Sequence, residues 1–332
     1  MIEIVARLPV VADLKRELHL TEAQLKLKRL RNEMIARVLK GRSDKLLLIV
    51  GPCSADDPDA VLEYAAGLAR IAVRVQESLI IIPRVFTGKP RTMSAGYMGL
   101  VHEIDGIRAA RQLHIDVLLS TGLTTADDLL YPALLPYFDD VVGYFVVGAR
   151  SVENQEHRLV ASGINVGVGL KNPSSGNLGV LTNAISSVQS HHSFLFNGHR
   201  VRTSGNSLAH AVLRGVTSVD GKASPNYSSA SLLALRDAYS AAGIANPTAI
   251  IDANHANSGK DYKMQAKIAI EVMKMRKNSP AIHEMVKGLM IESYLLEGNV
   301  ATDGEAYGRS ITDPCMSLAD TEDLIFQIAE ML

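Results

Sequence analysis

Leu46-Leu47-Leu48-Ile49-Val50-Gly51-Pro52-Cys53-Ser54 is the stretch on which the fold turns. Five apolar residues run without polar alternation, the pattern of a strand buried on both faces in a parallel sheet. Gly51-Pro52 stops the strand, so Cys53 stands at its C-terminal mouth. Asp57 then offers a helix N-cap and Pro58 a first helical residue, opening a helix predicted over 58–75. Val61, Leu62, Ala65, Leu68, Ile71, Ala72 and Val75 keep a helical period on one face of it. The unit is strand–loop–helix, with a thiol in the loop. A lone cysteine is most often a small buried hydrophobe. Strand C-terminal ends, however, are where chemistry collects in parallel α/β folds, so the other strand ends decide.

Outward from this unit, apolar runs at 79–85, 115–119, 141–147, 166–170, 210–213, 249–251 and 286–291 alternate with helical patterns. Those patterns lie near 104–113, 125–137, 152–162, 178–189, 229–242, 260–277 and 320–331. Alternation of this count predicts an α/β protein, a (β/α)8 TIM barrel. A doubly wound open sheet is the alternative, but no Gly-x-Gly-x-x-Gly follows the first strand. Ser193–Ser204 reads as a β-hairpin around Asn197-Gly198, inserted before strand six. Residues 21–40 read as a helix, with a capping-box pattern from Thr21 to Gln24 and Gly41 at the C′ position. Residues 1–45 are therefore expected to be an N-terminal helical extension, either a solvated lid or an oligomer or regulatory contact. Residues 46–332 are expected to be the catalytic barrel.

The composition narrows the function. Among 332 residues, 47% are hydrophobic, enough for a large core, and 34 basic against 35 acidic residues leave a net charge of −1. A nucleic-acid surface would need a basic excess. No apolar run approaches a membrane span, and Met1–Arg7 lacks a signal-peptide layout. Two cysteines do not make a disulfide scaffold and suit a reducing cytosol. A cytoplasmic protein acting on small molecules is expected.

The predicted strand ends carry two groups of side chains. Cys53, His255, Glu292 and Asp313 offer sulfur, nitrogen and oxygen, a mixed set that suits zinc or a divalent transition ion rather than Ca²⁺ or Mg²⁺. Arg84, Lys89, Arg91, Arg150, Lys171 and Arg214 would repel one another unless anions sat among them, and phosphate is the natural anion. A metal beside one or two phosphorylated substrates is the expectation. Taken singly, a histidine at a strand end is more often a hydrogen-bonded structural residue, and an arginine a surface ion-pair member. The ligands are scattered, with no short metal motif.

Motifs around these residues resemble the type I class of 3-deoxy-D-arabino-heptulosonate 7-phosphate (DAHP) synthases. They are Gly51-Pro-Cys-Ser54, Lys89-Pro-Arg-Thr92, Gly148-Ala-Arg-Ser-Val-Glu-Asn-Gln155, Gly169-Leu-Lys-Asn172, Asp252-Ala-Asn-His-Ala-Asn-Ser258, Ile291-Glu-Ser-Tyr-Leu-Leu-Glu-Gly-Asn299 and Ser310-Ile-Thr-Asp-Pro-Cys315, in order from about residue 20 to the end. The resemblance implies a barrel that condenses phosphoenolpyruvate with erythrose 4-phosphate at the entry to the shikimate pathway. It implies Cys53, His255, Glu292 and Asp313 as ligands of one divalent metal of the Mn, Fe, Co or Zn class. It implies Arg84, Arg150, Lys171 and Arg214 as phosphoenolpyruvate contacts, and Lys89, Arg91 and Thr92 as the segment that meets the aldehyde. Lys171 is a candidate for proton transfer. The family's use of the extension and the hairpin implies a homodimer or homotetramer and an aromatic amino acid as feedback ligand.

Three departures lie on the substrate side. Met98 stands where the family usually has lysine. The loop 101–106 is short. Asp128 stands where the family has a glutamate that helps place water beside phosphoenolpyruvate. Each bears on the aldehyde used or on efficiency, so an aldolase joining phosphoenolpyruvate to another aldehyde is the alternative, and a non-catalytic binding homologue a further one.

Overall fold

A computed structural model describes residues 2–89, 96–103, 105–300 and 307–332. In chain order the elements are α1 (Val11–Glu17), α2 (Glu22–Leu39), β1 (Leu46–Gly51), α3 (Pro58–Val75), β2 (Leu79–Pro83), α4 (Gly106–Thr121), β3 (Ala126–Asp128), β4 (Tyr144–Val147), α5 (Gln155–Ala161), β5 (Gly167–Lys171) and α6 (Leu178–Gln189). Then come β6 (His192–Phe196), β7 (His199–Thr203), β8 (Ala209–Leu213), β9 (Val216–Thr217), β10 (Ala223–Ser224), α7 (Ser229–Ala241), β11 (Ala249–Asp252), α8 (Met264–Asn278), α9 (Pro280–Met285), β12 (Val286–Glu292) and α10 (Leu318–Glu330).

Eight of the strands form one parallel sheet in the order β2-β1-β12-β11-β8-β5-β4-β3. Its two ends meet through a parallel bridge between Arg84 and Ala126, where the Val85 amide donates to the Ala126 carbonyl at 2.8 Å. The ring is the expected (β/α)8 barrel. Along each strand, alternate residues point in and out. Leu46, Leu48 and Val50 of β1 join the layer under the helices, while Leu47 and Ile49 join the inner layer with Ile82, Tyr144, Val146, Val212, Ile250 and Met290.

The inner layer also contains Ile35, Val38 and Leu39 of α2. This helix starts at the expected capping box: Thr21 N donates to Gln24 Oε1 at 2.7 Å and Gln24 N to Thr21 Oγ1 at 3.4 Å. Its C-terminal turn closes the barrel at the N-terminal ends of the strands, where Thr248 Oγ1 donates to the Leu39 carbonyl at 3.1 Å. A Cβ on Gly167 would lie 3.0 Å from Leu39 Cδ1 and 2.9 Å from Tyr144 Cδ2, so only glycine lets the plug sit this deep. The extension is thus more than a solvated lid: its last turn belongs to the core.

The third βα unit differs from expectation. Residues 115–119 are not a strand but the end of α4, which runs to Thr121 and closes on Gly122 at φ 68°. Ile107, Ala110, Leu113, His114, Val117 and Leu118 are buried at helical spacing, so the apolar run is the inner face of a helix. Residues 125–137 are not a helix. They hold β3, three residues long, and a 3₁₀ turn over Pro132–Tyr137. A strand reading Ala-Asp-Asp has no apolar run to announce it. The inserted hairpin pairs His192 with Thr203 through Phe196 with His199, and both Asn197 and Gly198 have positive φ, as a type I′ turn requires. No described helix is long and apolar enough to cross a membrane.

Candidate active site

The C-terminal ends of the barrel strands gather those expected residues that are described around one cleft of about 210 Å³. Cys53 follows β1 and is fully buried. Its Sγ, a Glu292 carboxylate oxygen at the end of β12 and an Asp313 carboxylate oxygen all lie within 4.8 Å of one another, with Sγ 3.7 Å from Asp313 Oδ2. His255 stands beside this trio rather than inside it, its Nε2 3.8 Å from Glu292 Oε1. Its Nδ1 is tied to the Asp252 carboxylate at 2.9 and 3.1 Å, and the residue sits at φ 54°. A left-handed backbone at a non-glycine residue is strain held by its surroundings. An imidazole with one nitrogen on a carboxylate has its tautomer set and the other nitrogen available to a metal.

The donor chemistry fits a divalent ion. Glu292 Oε1 is buried 2.9 Å from Arg84 Nη2 as an ion pair, yet no well-aligned hydrogen bond reaches it. Lys89 Nζ lies 2.6 Å from Cys53 Sγ, so a cation already neighbours the thiol. Burial and Glu292 push the Cys53 thiol up, against Lys89 pulling it down. Burial opposes the Glu292 carboxylate, but Arg84, His255 and Lys89 outweigh it and hold the group down at about 2. Asp313 is lowered too, burial being overcome chiefly by Lys89. Burial lowers His255, against Asp252 raising it, and so favours the neutral imidazole that serves as a metal ligand.

The cationic group surrounds the same cleft, which Arg84, Lys89, Arg150, Lys171, Arg214 and Lys260 line together with Asp128. Arg84 is 3% exposed, its Nε donating to the Pro52 carbonyl at 3.1 Å and its guanidinium stacked 3.9 Å over the Phe86 ring. Arg84 Nη1 is buried without a partner among the described residues. Lys171 Nζ donates to Asp252 Oδ2 at 2.9 Å. Burial lowers Arg214, and Arg150 adds to it as a second positive charge nearby. Arg91 and Thr92 lie outside the described residues.

Sequence reasoning passed over several supporting residues. Asp252 is the strand-end residue before His255 and holds both His255 and Lys171; burial opposes its carboxylate, but contact with these two side chains keeps it well below the usual range. Asn254 Nδ2 donates to Glu292 Oε2 at 2.6 Å. Gln265 clamps the Glu292 main chain from both sides, at 2.8 and 2.9 Å. Asp252 and Asn254 sit inside the quoted motif; Gln265, on α8, carries no sequence signal.

The departures are also placed. The Met98 carbonyl accepts from the Lys89 amide at 3.0 Å, so residue 98 backs the segment that carries Lys89. Gly99, at φ 103°, is where that loop comes closest, since a Cβ there would lie 2.5 Å from the Thr87 carbonyl. Asp128 Oδ1 is buried without a partner among the described residues. Burial and Asp127 raise its carboxyl to about 7, against Lys171, Arg84 and Lys89.

The chain is similar to known proteins over most of its length. Residues 18–325 match the model of the DAHP synthetase I family. The chain is 37% identical over 312 residues to the Phe-sensitive phospho-2-dehydro-3-deoxyheptonate aldolase of Escherichia coli K12, covering 89% of this chain and 86% of that one. It is 35% identical over 319 residues to the phospho-2-dehydro-3-deoxyheptonate aldolase of Corynebacterium glutamicum, covering 89% and 83%. A solved phospho-2-dehydro-3-deoxyheptonate aldolase from Francisella tularensis SCHU S4 superposes with a TM-score of 0.93 at 30% identity, over 100% of this chain and 98% of that one.

Proposed function

The chain belongs to the DAHP synthetase I family, and on that premise we propose that it condenses phosphoenolpyruvate with erythrose 4-phosphate and water to DAHP and phosphate. It is a carbon–carbon bond-forming transferase, 3-deoxy-7-phosphoheptulonate synthase, and it catalyses the first step of aromatic amino-acid biosynthesis. The observation that carries the reading is one cleft in which three metal-ligand side chains converge beneath a rim of cations.

Cys53, His255, Glu292 and Asp313 would hold a divalent ion of the Mn, Fe, Co or Zn class. When bound, such an ion supplies Lewis acidity toward the aldehyde oxygen. Arg84, Arg150, Lys171 and Arg214 bind the phosphate and carboxylate of phosphoenolpyruvate. Lys89, with Arg91 and Thr92 on the same segment, receives the aldehyde and its phosphate. Two polyanions meet here only because cations offset their repulsion and fix their approach. The methylene carbon of phosphoenolpyruvate attacks the aldehyde carbon, water adds at the carbon bearing the phosphate ester, and phosphate departs. The aldehyde oxygen takes up a proton as it becomes a hydroxyl and the attacking water gives one up, and Lys171, seated on Asp252, is our candidate for that transfer. Asp128 orients the incoming water.

Met98 favours a second reading, in which another aldehyde is the acceptor: a thioether lacks the charge of the lysine that the family carries there. Phosphate release from phosphoenolpyruvate, with a divalent metal and a panel of aldehydes, separates the two. Release with erythrose 4-phosphate alone supports the first reading. Release only with another aldehyde supports the second, and no release with any aldehyde overturns both. A chelator should abolish release, and added metal should restore it.

Residues 1–45 and the hairpin at 193–204 are the proposed surfaces for subunit contacts in a homodimer or homotetramer. Relatives named Phe-sensitive and Tyr-sensitive support an aromatic amino acid as feedback ligand. The proposed setting is the cytoplasm.

A further inference from the structure

β3 ends in two adjacent carboxylates with opposite surroundings. Asp127 is 2% exposed and its carboxylate is fully engaged. Oδ1 accepts from the Thr87 amide at 2.9 Å and the Asp128 amide at 2.7 Å. Oδ2 accepts from Thr87 Oγ1 at 2.7 Å and faces His114 Nε2 at 3.0 Å. His114, on α4, is fully buried, and its Nδ1 lies 2.8 Å from Thr125 Oγ1. A carboxylate only accepts, so His114 Nε2 carries the proton toward Asp127. Asp128, one residue on and pointing to the other side of the strand, lines the cleft with an Oδ1 that has no partner among the described residues.

We propose that Asp127, oriented by His114, is a positioning residue that fixes the main chain at Thr87 and Asp128 and governs the charge state of the Asp128 carboxyl in the cleft. The proposal rests on the reading of Asp128 and Lys89 as working residues. Thr87 stands two residues before Lys89, so the pair of bonds from Thr87 to Asp127 sets where the Lys89 segment leaves the barrel. Like charges on neighbouring residues disfavour joint ionisation. Among the described residues, the charged groups that act most on Asp128 are Asp127 on its own strand, Lys171 from β5, and Arg84 and Lys89 from beyond β2. The three cations oppose Asp127 and burial, and the balance leaves the Asp128 proton exchanging near neutrality. Removing the Asp127 charge tips that balance toward the cations.

Infrared titration of the protonated-carboxyl band tests this without relying on turnover. The band that disappears in Asp128→Asn is assigned to Asp128. In Asp127→Asn its midpoint should fall by about one pH unit; an unchanged midpoint overturns the proposal. If Asp127→Asn folds poorly by circular dichroism, the His114 variants carry the test. His114→Leu should lower kcat about tenfold and raise KM for the aldehyde. His114→Gln, which keeps a donor, should recover most of both, and equal losses in the two variants overturn the proposal. If Asp128→Asn removes the band but leaves kcat unchanged, the role given to Asp128 in the reaction falls, while the midpoint in Asp127→Asn still decides the proposal.

Discussion

At the base of the barrel, α2 lays Ile35, Val38 and Leu39 against the apolar inner layer, and its last carbonyl is satisfied by Thr248. At the mouth, Arg84, Lys171, Asp252 and Glu292 are all nine-tenths buried or more, and they neutralise one another across 2.9 Å contacts. Both sets of side chains are buried, yet they differ in what burial does. Burying apolar area at the base stabilises the fold by about 25 cal/mol per Å². Burying charges at the mouth costs desolvation that their pairing offsets only with good geometry. A mouth of that composition is explained by chemistry, and the base by stability. The difference is open to test by substitution.

The largest effect is expected at the mouth. Glu292→Gln removes a proposed anionic ligand and leaves the Arg84 guanidinium buried without the Glu292 charge. Activity should fall about 10²–10³-fold, and stability by about 3–5 kcal/mol, read by phosphate release and urea unfolding. At the base, Leu39→Ala should cost about 2–5 kcal/mol in urea while kcat holds below the melting transition. A kcat that fell in step with stability would break the division of labour between the two ends.

A smaller and pH-dependent effect separates the two ends further. Folding raises Asp128 from its ordinary 3.8 to about 7. The folded chain therefore keeps a proton that the unfolded chain releases. Stability from this group is full below about pH 4 and is lost as pH rises through about 7. Asp128→Asn should remove that dependence, so its melting temperature should gain on the parent at about pH 8 and not at about pH 4. The smallest effect belongs to the cap of α2: Thr21→Ala should cost about 1 kcal/mol and leave turnover unchanged.

Local signals made much of the molecule legible. The run at Leu46–Val50, the Asp57-Pro58 start of α3, the Thr21 cap and the Asn197-Gly198 turn each act within a few residues, and each predicted its element. Repetition of the first unit then yields the barrel, because parallel strands need crossovers and eight of them close. The third unit failed for the same reason: the buried face of α4 mimics an apolar strand, and β3 is a strand only because Arg84 and Tyr144 lie on either side of it.

By itself, the sequence determined the fold class and the inventory of groups at the strand ends, since pattern and residue type depend on short range alone. Only the tertiary structure decided that α2 plugs the base, that Asp252 joins His255 to Lys171, and that His114 reaches Asp127. Those contacts join residues far apart along the chain, and no periodicity records them. Hydrogen bonds and charges act across a few ångströms of space, and the closing of the ring determines which groups come within that distance.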